Sequence, residues 1–202
     1  MRHVFLINPH AGKQDQTARI RALADRLAAA HNLDCRCLLT DRPGGAEVLS
    51  RALAEAGEPV RIYACGGDGT VHEAANGIAG FPNAAMTAGT GNDFLKNFGP
   101  DAAKFSDPEH LWDGPEFPLD LIDCNGRLCL TIACSGIDAR IADTVHRYGN
   151  VPGLSGRGSY LLSVAVNFLF KPIGRRWRVE LDGEVLEDDF ALVSMCNGRY
   201  YG

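Results

Sequence analysis

The 202-residue sequence contains seven cysteines and six histidines but no C-x-x-C pair and no His-x-x-x-His spacing. An odd number of cysteines without such spacing predicts neither a disulfide framework nor a zinc site. The simplest interpretation is that these cysteines are small buried side chains of a protein in a reducing compartment.

The sequence predicts neither a secretory leader nor a membrane-spanning run. Met1 leads almost directly into the strand-like segment HVFLIN, without a basic region, an apolar region or a cleavage site. The longest nearly apolar run, YLLSVAVNFLF at 160–170, is shorter than the about 20 residues that a spanning helix needs. The sequence therefore predicts a cytoplasmic protein, and any contact with a membrane would be peripheral, at the inner face.

Positive charge is not in excess. Lys and Arg number 20 against 25 Asp and Glu, and the formal net charge is -5. This balance argues against nucleic acid as a partner, although a local basic patch could still meet an anionic surface. A hydrophobic share of 46% and a charged share of 22% are typical of a soluble globular protein with one domain or two small ones.

Two common nucleotide signatures are absent. The pattern G-x-G-x-x-G fails twice because the positions that need a third glycine hold His72 and Phe94. The pattern G-x-x-x-x-G-K-[ST] occurs nowhere in the sequence. Neither a dinucleotide-binding fingerprint nor a Walker loop is therefore indicated.

The first part of the chain alternates strand and helix patterns. Buried strands are predicted at HVFLIN (3–8), DCRCLL (34–39), VRIYAC (60–65) and AAMTA (84–88). Between them lie three segments with apolar residues at helical spacing, the second of which stops at Gly57. This βαβαβαβ order predicts an α/β fold with a doubly wound parallel sheet.

The second part has a different texture. From about Asp101 four prolines interrupt a polar stretch, which we interpret as a hinge. Two hairpins follow, with predicted turns at Asn125-Gly126 and Asp182-Gly183, and the segment 160–170 between them has a helical pattern. We therefore expect a nucleotide-binding domain at 1–117 and a mainly antiparallel β-sandwich domain at 118–202. The second segment is short for a domain, so we expect it to be incomplete.

The segment CGGDGTVHEAANG at 65–77 carries the strongest chemical signal. Gly66, Gly67, Gly69 and Thr70 follow a buried strand and open a helix, which is where backbone N–H groups can approach phosphate oxygens. A carboxylate at this point would repel phosphate unless a cation lies between them, so Asp68 is a candidate for holding Mg²⁺ directly or through water. A tight strand-to-helix turn without any ligand is the alternative interpretation.

Polar residues also follow the other three predicted strands. Because the carboxyl ends of parallel strands meet at one edge of a sheet, these residues should converge on the glycine loop. They are Asn8, Gly12 and Lys13 after the first strand, Thr40 after the second, and Thr90, Asn92 and Asp93 after the fourth. Such convergence is expected of a nucleotide site.

These motifs together resemble the diacylglycerol kinase catalytic-domain family, which includes bacterial soluble lipid kinases and the sphingosine and ceramide kinases. The resemblance is carried by N-P-x-x-G-K at 8–13, G-G-D-G-T at 66–70 with Glu73 and Asn76-Gly77 after it, and G-T-G-N-D-F at 89–94. The G-G-D-G element alone is shared with NAD kinases. The segments LDLIDCNGRLCLTIACSGIDA and MCNGRYYG extend the resemblance along nearly the whole chain, which ends where the family's chains continue.

The resemblance implies a lipid kinase that binds ATP between two domains and uses Mg²⁺. The residues it assigns to the nucleotide are Asn8, Lys13, Thr40, Gly66, Gly67, Gly69, Thr70, Thr90 and Asn92. It implies a carboxylate network of Asp68, Asp93 and Asp120 that performs the catalysis and holds the metal, in part through water. Asp138 matches a position tied to recognition of the lipid head group in sphingosine kinases.

Three functions follow from this pattern. The first is ATP-dependent transfer of the γ-phosphoryl group to the hydroxyl of diacylglycerol or a related lipid. The second is a small-molecule kinase of the NAD kinase type, and the third is an inactive nucleotide-binding fragment, since the family's base for the acceptor hydroxyl is expected beyond Gly202. The sequence leaves open the lipid, the general base and the oligomeric state.

Three weaker signals have two interpretations each. Lys171, Arg175, Arg176, Trp177 and Arg178 form either a basic patch for an anionic membrane or a charged edge strand. His72 either touches nucleotide or is a solvated or capping histidine. Glu73 either anchors the glycine loop through backbone N–H groups or is a first-turn acid favoured by the helix dipole.

Overall fold

The computed structural model describes residues 1–12, 14–88, 93–148, 156–170 and 172–198. The chain forms two compact units: Met1–Thr131 together with Asn197–Gly202, and Ile132–Cys196. The boundary predicted between 117 and 118 falls inside the first unit. As a boundary between domains it stays a prediction.

The first unit is built around a four-stranded parallel sheet. Its strands are β1 (Arg2–Ile7), β2 (Asp34–Leu39), β3 (Val60–Cys65) and β4 (Ala84–Ala88). Its helices are α1 (Thr17–His31), α2 (Gly45–Glu55) and α3 (Asp68–Ile78). The strand order is β2-β1-β3-β4, with Arg2 of β1 opposite Asp34 of β2 and Val60 of β3. The predicted α/β fold with a parallel sheet is confirmed.

Alternate residues of the central strands face two separate cores, as expected for a sheet covered on both sides. Val4 and Ile62 pack with Val71 and other residues of α2 and α3 on one face. Phe5 and Tyr63 pack with α1 on the other, and their rings stack at a centroid distance of 4.4 Å. Helices on both faces make the sheet doubly wound.

Helices α2 and α3 approach closely because of one glycine. A Cβ atom added to Gly77 would lie 2.6 Å from the carbonyl oxygen of Glu47 and 2.7 Å from the Cβ of Ser50. No side chain fits at this position without moving the α2 backbone. This contact explains the Asn76-Gly77 pair in the sequence.

The proline-rich stretch is ordered on the first unit. It forms two 3-10 helices, Asp93–Ser106 with a break at Gly99 and Pro108–His110. The 8% exposed Arg61 of β3 donates to the carbonyl oxygens of Leu111, Trp112 and Gly114 and to the Glu116 carboxylate, at 2.5 to 2.9 Å. Hydrogen bonds to four acceptors offset the cost of burying this guanidinium. Arg61 therefore fixes the path of the segment from Leu111 to Glu116.

A short hairpin of β5 (Ile122–Cys124) and β6 (Arg127–Cys129) also belongs to the first unit. Asn125 and Gly126 have φ values of 54° and 82°, which confirms the predicted turn. The Asn76 amide on α3 donates to Leu128 O and accepts from Leu128 N–H, at 2.8 and 3.0 Å. These two hydrogen bonds dock the hairpin on α3. The first unit therefore continues past residue 117, the predicted end of the first domain.

The described part of the second unit contains four strands and two helices. Its strands are β7 (Ile132–Gly136), β8 (Arg175–Leu181), β9 (Glu184–Phe190) and β10 (Leu192–Cys196), and its helices are α4 (Ile137–Tyr148) and α5 (Gly156–Phe170). Strand β10 pairs antiparallel with β7, and β8 pairs antiparallel with β9 through the predicted Asp182-Gly183 turn. The sequence pattern did not predict α4.

The two helices of the second unit meet through polar side chains. Asn167 of α5 donates to the Thr144 hydroxyl of α4 at 2.9 Å, and the Thr144 and Ser163 hydroxyls are 2.5 Å apart. Ser163 and Asn167 are fully buried. The inner side of α5 is therefore polar, although nearly all of its other residues are apolar.

Candidate functional site

The glycine loop lies at the point where the strand order reverses. The chain passes from β1 to β2 on one side of β1 and later returns to β3 on its other side. In open α/β sheets, ligands bind beyond the carboxyl ends of the strands at such a point. The segments after β1 and β3 meet here, and Asn8 N–H donates to Cys65 O at 3.0 Å.

Asn8 and Thr70 hold the two segments together. The Asn8 amide donates to the Thr70 hydroxyl at 3.2 Å, and its oxygen accepts the His10 N–H at 3.0 Å. Thr70 is 5% exposed, so its hydroxyl is fixed below the loop. A Cβ atom on Gly66 would lie 2.6 Å from the Thr70 Cβ, which is why this position needs glycine.

No such clash with the described residues requires the other two glycines of the loop, Gly67 and Gly69. A Cβ atom on Gly67 or Gly69 would meet no atom of the described residues within 4 Å, and neither glycine has a positive φ. The missing side chains leave open space beside the start of α3. Space of this kind is what a phosphate needs to approach backbone N–H groups.

The start of α3 is suited to an anionic group. The helix begins at Asp68 without a side-chain cap, and its first bond in this turn runs from Val71 N–H to Gly67 O. The N–H groups ahead of Val71 lie outside the helical ladder, and the helix dipole adds partial positive charge. Asp68 is exposed at the same end. Its carboxylate would need a cation beside a bound phosphate.

Glu73 makes neither of the contacts considered from sequence. Its two carboxylate oxygens accept the backbone N–H groups of Gly44 and Ala46, at 2.9 and 3.1 Å. Both groups belong to the start of α2, whose cap residue Gly44 has a φ of 81° and no side chain of its own. Glu73 therefore caps α2 from the neighbouring helix and does not bind the glycine loop.

Thr40 follows β2 at the same edge of the sheet. It is 7% exposed, and its N–H donates to Ile7 O at 2.9 Å. The structure thus places three predicted residues or groups at one sheet edge: Asn8, Thr40 and the loop from Gly66 to Thr70. The assignment of these residues to a nucleotide stays a prediction.

Two titratable groups beside the loop are held neutral. Burial raises the pKa of the Cys65 thiol to about 12, so this cysteine is not a nucleophile at neutral pH. Burial, and then the nearby Arg127 cation, lower the pKa of His72 below its usual value. His72 therefore adds no positive charge near the loop at neutral pH.

The predicted metal residues are only partly described. Asp93 begins the first 3-10 helix, but its side chain lies outside the described part of the chain. Asp120 is exposed, and its carbonyl oxygen accepts the Asn197 amide at 2.6 Å. Among the described residues, no group of three His, Cys, Asp or Glu side chains is placed to hold a metal ion. The Mg²⁺ site of Asp68, Asp93 and Asp120 stays a prediction.

Of the four remaining predicted residues, three lie outside the described part of the chain and one lies in the second unit. Lys13, Thr90 and Asn92 lie outside the described residues. Asp138 is half-buried in the first turn of α4, in the second unit. Its assignment to the lipid head group stays a prediction.

Asn197 is a site neighbour that the motif analysis missed. Its amide bridges Asp120 O and Leu130 O, and its N–H donates to Thr131 O at 2.8 Å. Asn197 therefore fixes the backbone at Asp120 from a segment 77 positions further along the chain. The sequence signal was the asparagine in MCNGRYYG, whose contact is too distant along the chain to be inferred from local pattern.

A doubly wound sheet with a glycine loop at its switch point defines a class of phosphate-binding α/β protein. Comparison with known protein families and solved structures narrows this class. A family model described as the diacylglycerol kinase catalytic domain matches residues 2–124. The chain belongs to the diacylglycerol kinase catalytic-domain family.

Individual relatives agree with this membership. The chain is 29% identical over 200 residues to a protein named "Probable lipid kinase YegS-like" from Pseudomonas aeruginosa, covering 95% of this chain and 63% of that protein. It is 31% identical over 188 residues to a protein of the same name from Pseudomonas fluorescens, covering 84% and 59%. The crystal structure of a diacylglycerol kinase from Bacillus anthracis strain Sterne superposes with a TM-score of 0.64 at 26% identity, covering 98% and 65%. The chain thus spans less than two thirds of the length of these relatives.

Proposed function

We propose that this chain carries the nucleotide-binding part of an ATP-dependent lipid kinase, which transfers the γ-phosphoryl group to the hydroxyl of diacylglycerol or a related lipid. The observation that carries the proposal is the open space at Gly67 and Gly69 beside the uncapped start of α3. Family membership and the relatives named as lipid kinases support the choice of acceptor class.

The residues of the chain would act mainly by positioning, which dominates catalysis of phosphoryl transfer. The backbone from Gly66 to Thr70 would bind phosphate oxygens, and Asn8 would keep the loop in place through Thr70. Thr40 lies at the same edge, and Lys13, Thr90 and Asn92 are proposed to complete the nucleotide site. Mg²⁺ would neutralise phosphate charge when bound, and Asp68, Asp93 and Asp120 are the carboxylates proposed to hold it.

The test measures binding of ATP and transfer separately. We expect Asp68→Asn to weaken Mg²⁺-dependent ATP binding about tenfold or more, and to lower transfer to lipid about a hundredfold, as removal of one electrostatic group does in other enzymes. Titration calorimetry gives the binding, and labelled ATP with diacylglycerol in mixed micelles gives the transfer. Asp25→Asn, at an exposed position on α1, is the matched control.

The outcomes separate the three functions. Unchanged binding and transfer in Asp68→Asn would contradict the assignment of the loop. When NAD is added to the same assay as a second acceptor, label on NAD and none on lipid would favour the NAD kinase type. ATP binding without any labelled product would favour a nucleotide-binding fragment.

A further inference from the structure

The backbone around Asp120 has little support from regular structure. Residues 114–121 belong to no helix or strand, and Asp120 is exposed within this stretch. A carboxylate that works beside a cation must be held within about 0.5 Å of its productive position, and loops hold side chains less precisely than helices or strands do. Asp120 therefore depends on residues outside this stretch for a fixed position.

Asn197 supplies such a contact. Its side-chain amide donates to Asp120 O at 2.6 Å and to Leu130 O at 3.1 Å. Its own N–H donates to Thr131 O at 2.8 Å, so the backbone that carries the amide is held as well. Among the described residues, no other side chain donates a hydrogen bond to the backbone of Asp120.

The Asp120 carboxylate itself is available to a ligand. Within the described part of the chain, no hydrogen bond or ion pair engages its oxygens, and the residue is exposed. Carboxylate oxygens are ligands that Mg²⁺ prefers, so the chemistry of Asp120 fits its predicted part in the metal site. Asn197 binds only the backbone of Asp120 and leaves both carboxylate oxygens unused.

The same segment also contacts the 3-10 helix that begins at Asp93. The residue after Asn197 is Gly198, and a Cβ atom on Gly198 would lie 3.0 Å from Asn97 Oδ1. The Asn97 amide in turn donates to Phe94 O at 2.9 Å, at the start of that helix. Residues 197 and 198 thus contact the two segments that carry Asp93 and Asp120.

We propose that Asn197 is a positioning residue of the phosphoryl-transfer site, which holds the backbone at Asp120 so that this carboxylate can share a cation with bound ATP. Asn197 touches neither nucleotide nor acceptor and acts only through Asp120. Residues that orient metal ligands contribute strongly to the affinity of a site for its metal. The inference rests on the proposed function, to which it adds a residue from a segment outside the nucleotide motifs.

The test compares ATP binding with and without Mg²⁺ by the full 202-residue chain. Titration calorimetry gives the ATP affinity in excess Mg²⁺ and in EDTA, and the readout is the ratio of the two affinities. We expect Asn197→Ala to lower this ratio about tenfold, as loss of a residue that orients a metal ligand does. Damage to the fold or to the glycine loop would instead weaken ATP binding in both buffers and leave the ratio unchanged.

Asn83 provides a matched control at the opposite edge of the sheet. Its amide also donates to two backbone carbonyl oxygens, those of Ala54 at 2.9 Å and Glu58 at 3.2 Å. Asn83 directly precedes β4, at the amino ends of the parallel strands and away from the glycine loop. Asn83→Ala should lower the midpoint of urea unfolding, as Asn197→Ala does, but keep the affinity ratio of the wild type. Equal ratios in the two variants would overturn the proposal.

A second substitution guards against a variant that fails to fold. Leucine has nearly the size of asparagine but cannot donate to Asp120 O, so Asn197→Leu should lower the affinity ratio as Asn197→Ala does. Circular dichroism checks the fold of each variant. A folded Asn197→Leu chain with the ratio of the wild type would contradict the proposal.

A double-mutant cycle tests whether Asn197 acts through Asp120. We expect Asp120→Asn to lower the affinity ratio at least as much as Asn197→Ala does, and the double variant to behave like Asp120→Asn alone. If the two effects multiply fully in the double variant, Asn197 acts elsewhere and the proposal is overturned.

The outcomes are separable from those of the proposed function. ATP binding is measured without lipid, so a wild-type chain that binds ATP with Mg²⁺ but labels no lipid rejects the kinase and leaves the result for Asn197 standing. A wild-type chain with equal ATP affinity in both buffers overturns the role of Asp120 and with it that of Asn197. A chain that binds no ATP in either buffer rejects both proposals.

Discussion

Single residues of the glycine loop have different reasons for being glycine. Gly66 is required by the chain itself because Thr70 fills the space where a side chain would begin. Gly67 and Gly69 face open space among the described residues, so packing within that part of the chain does not require their lack of a side chain. This difference can be measured one residue at a time.

We expect Gly69→Ala to leave the free energy of unfolding unchanged, or to raise it by up to about 1 kcal/mol, because alanine favours a helix. The same substitution should weaken ATP binding about tenfold, since the new methyl group occupies the open space. Chemical unfolding and titration calorimetry on the same sample give both values. Unweakened binding would mean that the space at Gly69 is not used by the nucleotide.

Gly66→Ala should behave in the opposite way. The added Cβ overlaps Thr70, and overpacking of this kind costs about 1–3 kcal/mol. We expect a lower midpoint of urea unfolding, whether or not ATP is present. A fold as stable as the wild type would show that the loop and Thr70 move apart easily.

At the scale of elements, Glu73 joins α2 to α3. Its carboxylate accepts two N–H groups at the start of α2, and no side chain of α2 performs this role. Glu73→Gln keeps the size but replaces one acceptor with a donor. We expect a loss of about 1–3 kcal/mol of stability, as for a buried bond left unmade. Glu55→Gln, exposed at the end of α2, is the control and should be neutral in the same urea titration.

The elements also show which parts of the fold could be predicted from local sequence patterns. The strands β1 to β4 and the turns at Asn125-Gly126 and Asp182-Gly183 were predictable, since apolar runs and positive φ angles leave local signatures. Helix α4 was missed although Ile137 and Ile141 are buried at helical spacing, since it begins directly after β7 with no loop to separate the two patterns. Arg61 donates to the carbonyl oxygen of Leu111, 50 positions further along the chain, and no local sequence pattern predicts this hydrogen bond.

The candidate site also has one part that the sequence predicts and another that it does not. Its backbone loop was predictable because glycine, helix start and sheet edge are all visible in the sequence. The role of Glu73 and the tether from Asn197 to Asp120 were not, because each depends on which segments meet in space.

At the scale of the whole molecule, two histidines with lowered pKa values couple folding to pH. Burial, and then the Arg61 cation, lower the pKa of His3, which is 4% exposed and lies 2.9 Å from the Tyr63 hydroxyl. Burial lowers the pKa of His72 in the same direction. A histidine kept neutral in the folded state favours folding fully above the pKa of the unfolded chain, about 6.5.

Stability should therefore fall as the pH drops below 6.5 toward the lowered values of the folded state. Each histidine contributes at most about 1.4 kcal/mol per pH unit. Urea unfolding at a series of pH values gives this slope. His3→Gln should make the slope shallower, while the exposed His10→Gln should leave it unchanged. Equal slopes for the wild type and His3→Gln would show that His3 is not what couples folding to pH.

The first unit is discontinuous along the chain, and Asn197 closes it. During synthesis the residues up to Thr131 leave the ribosome first and can fold as a unit. Asn197 follows only after all of Ile132–Cys196 has been made. The tether between Asn197 and Asp120 can thus form only after the whole of the second unit's chain has been made.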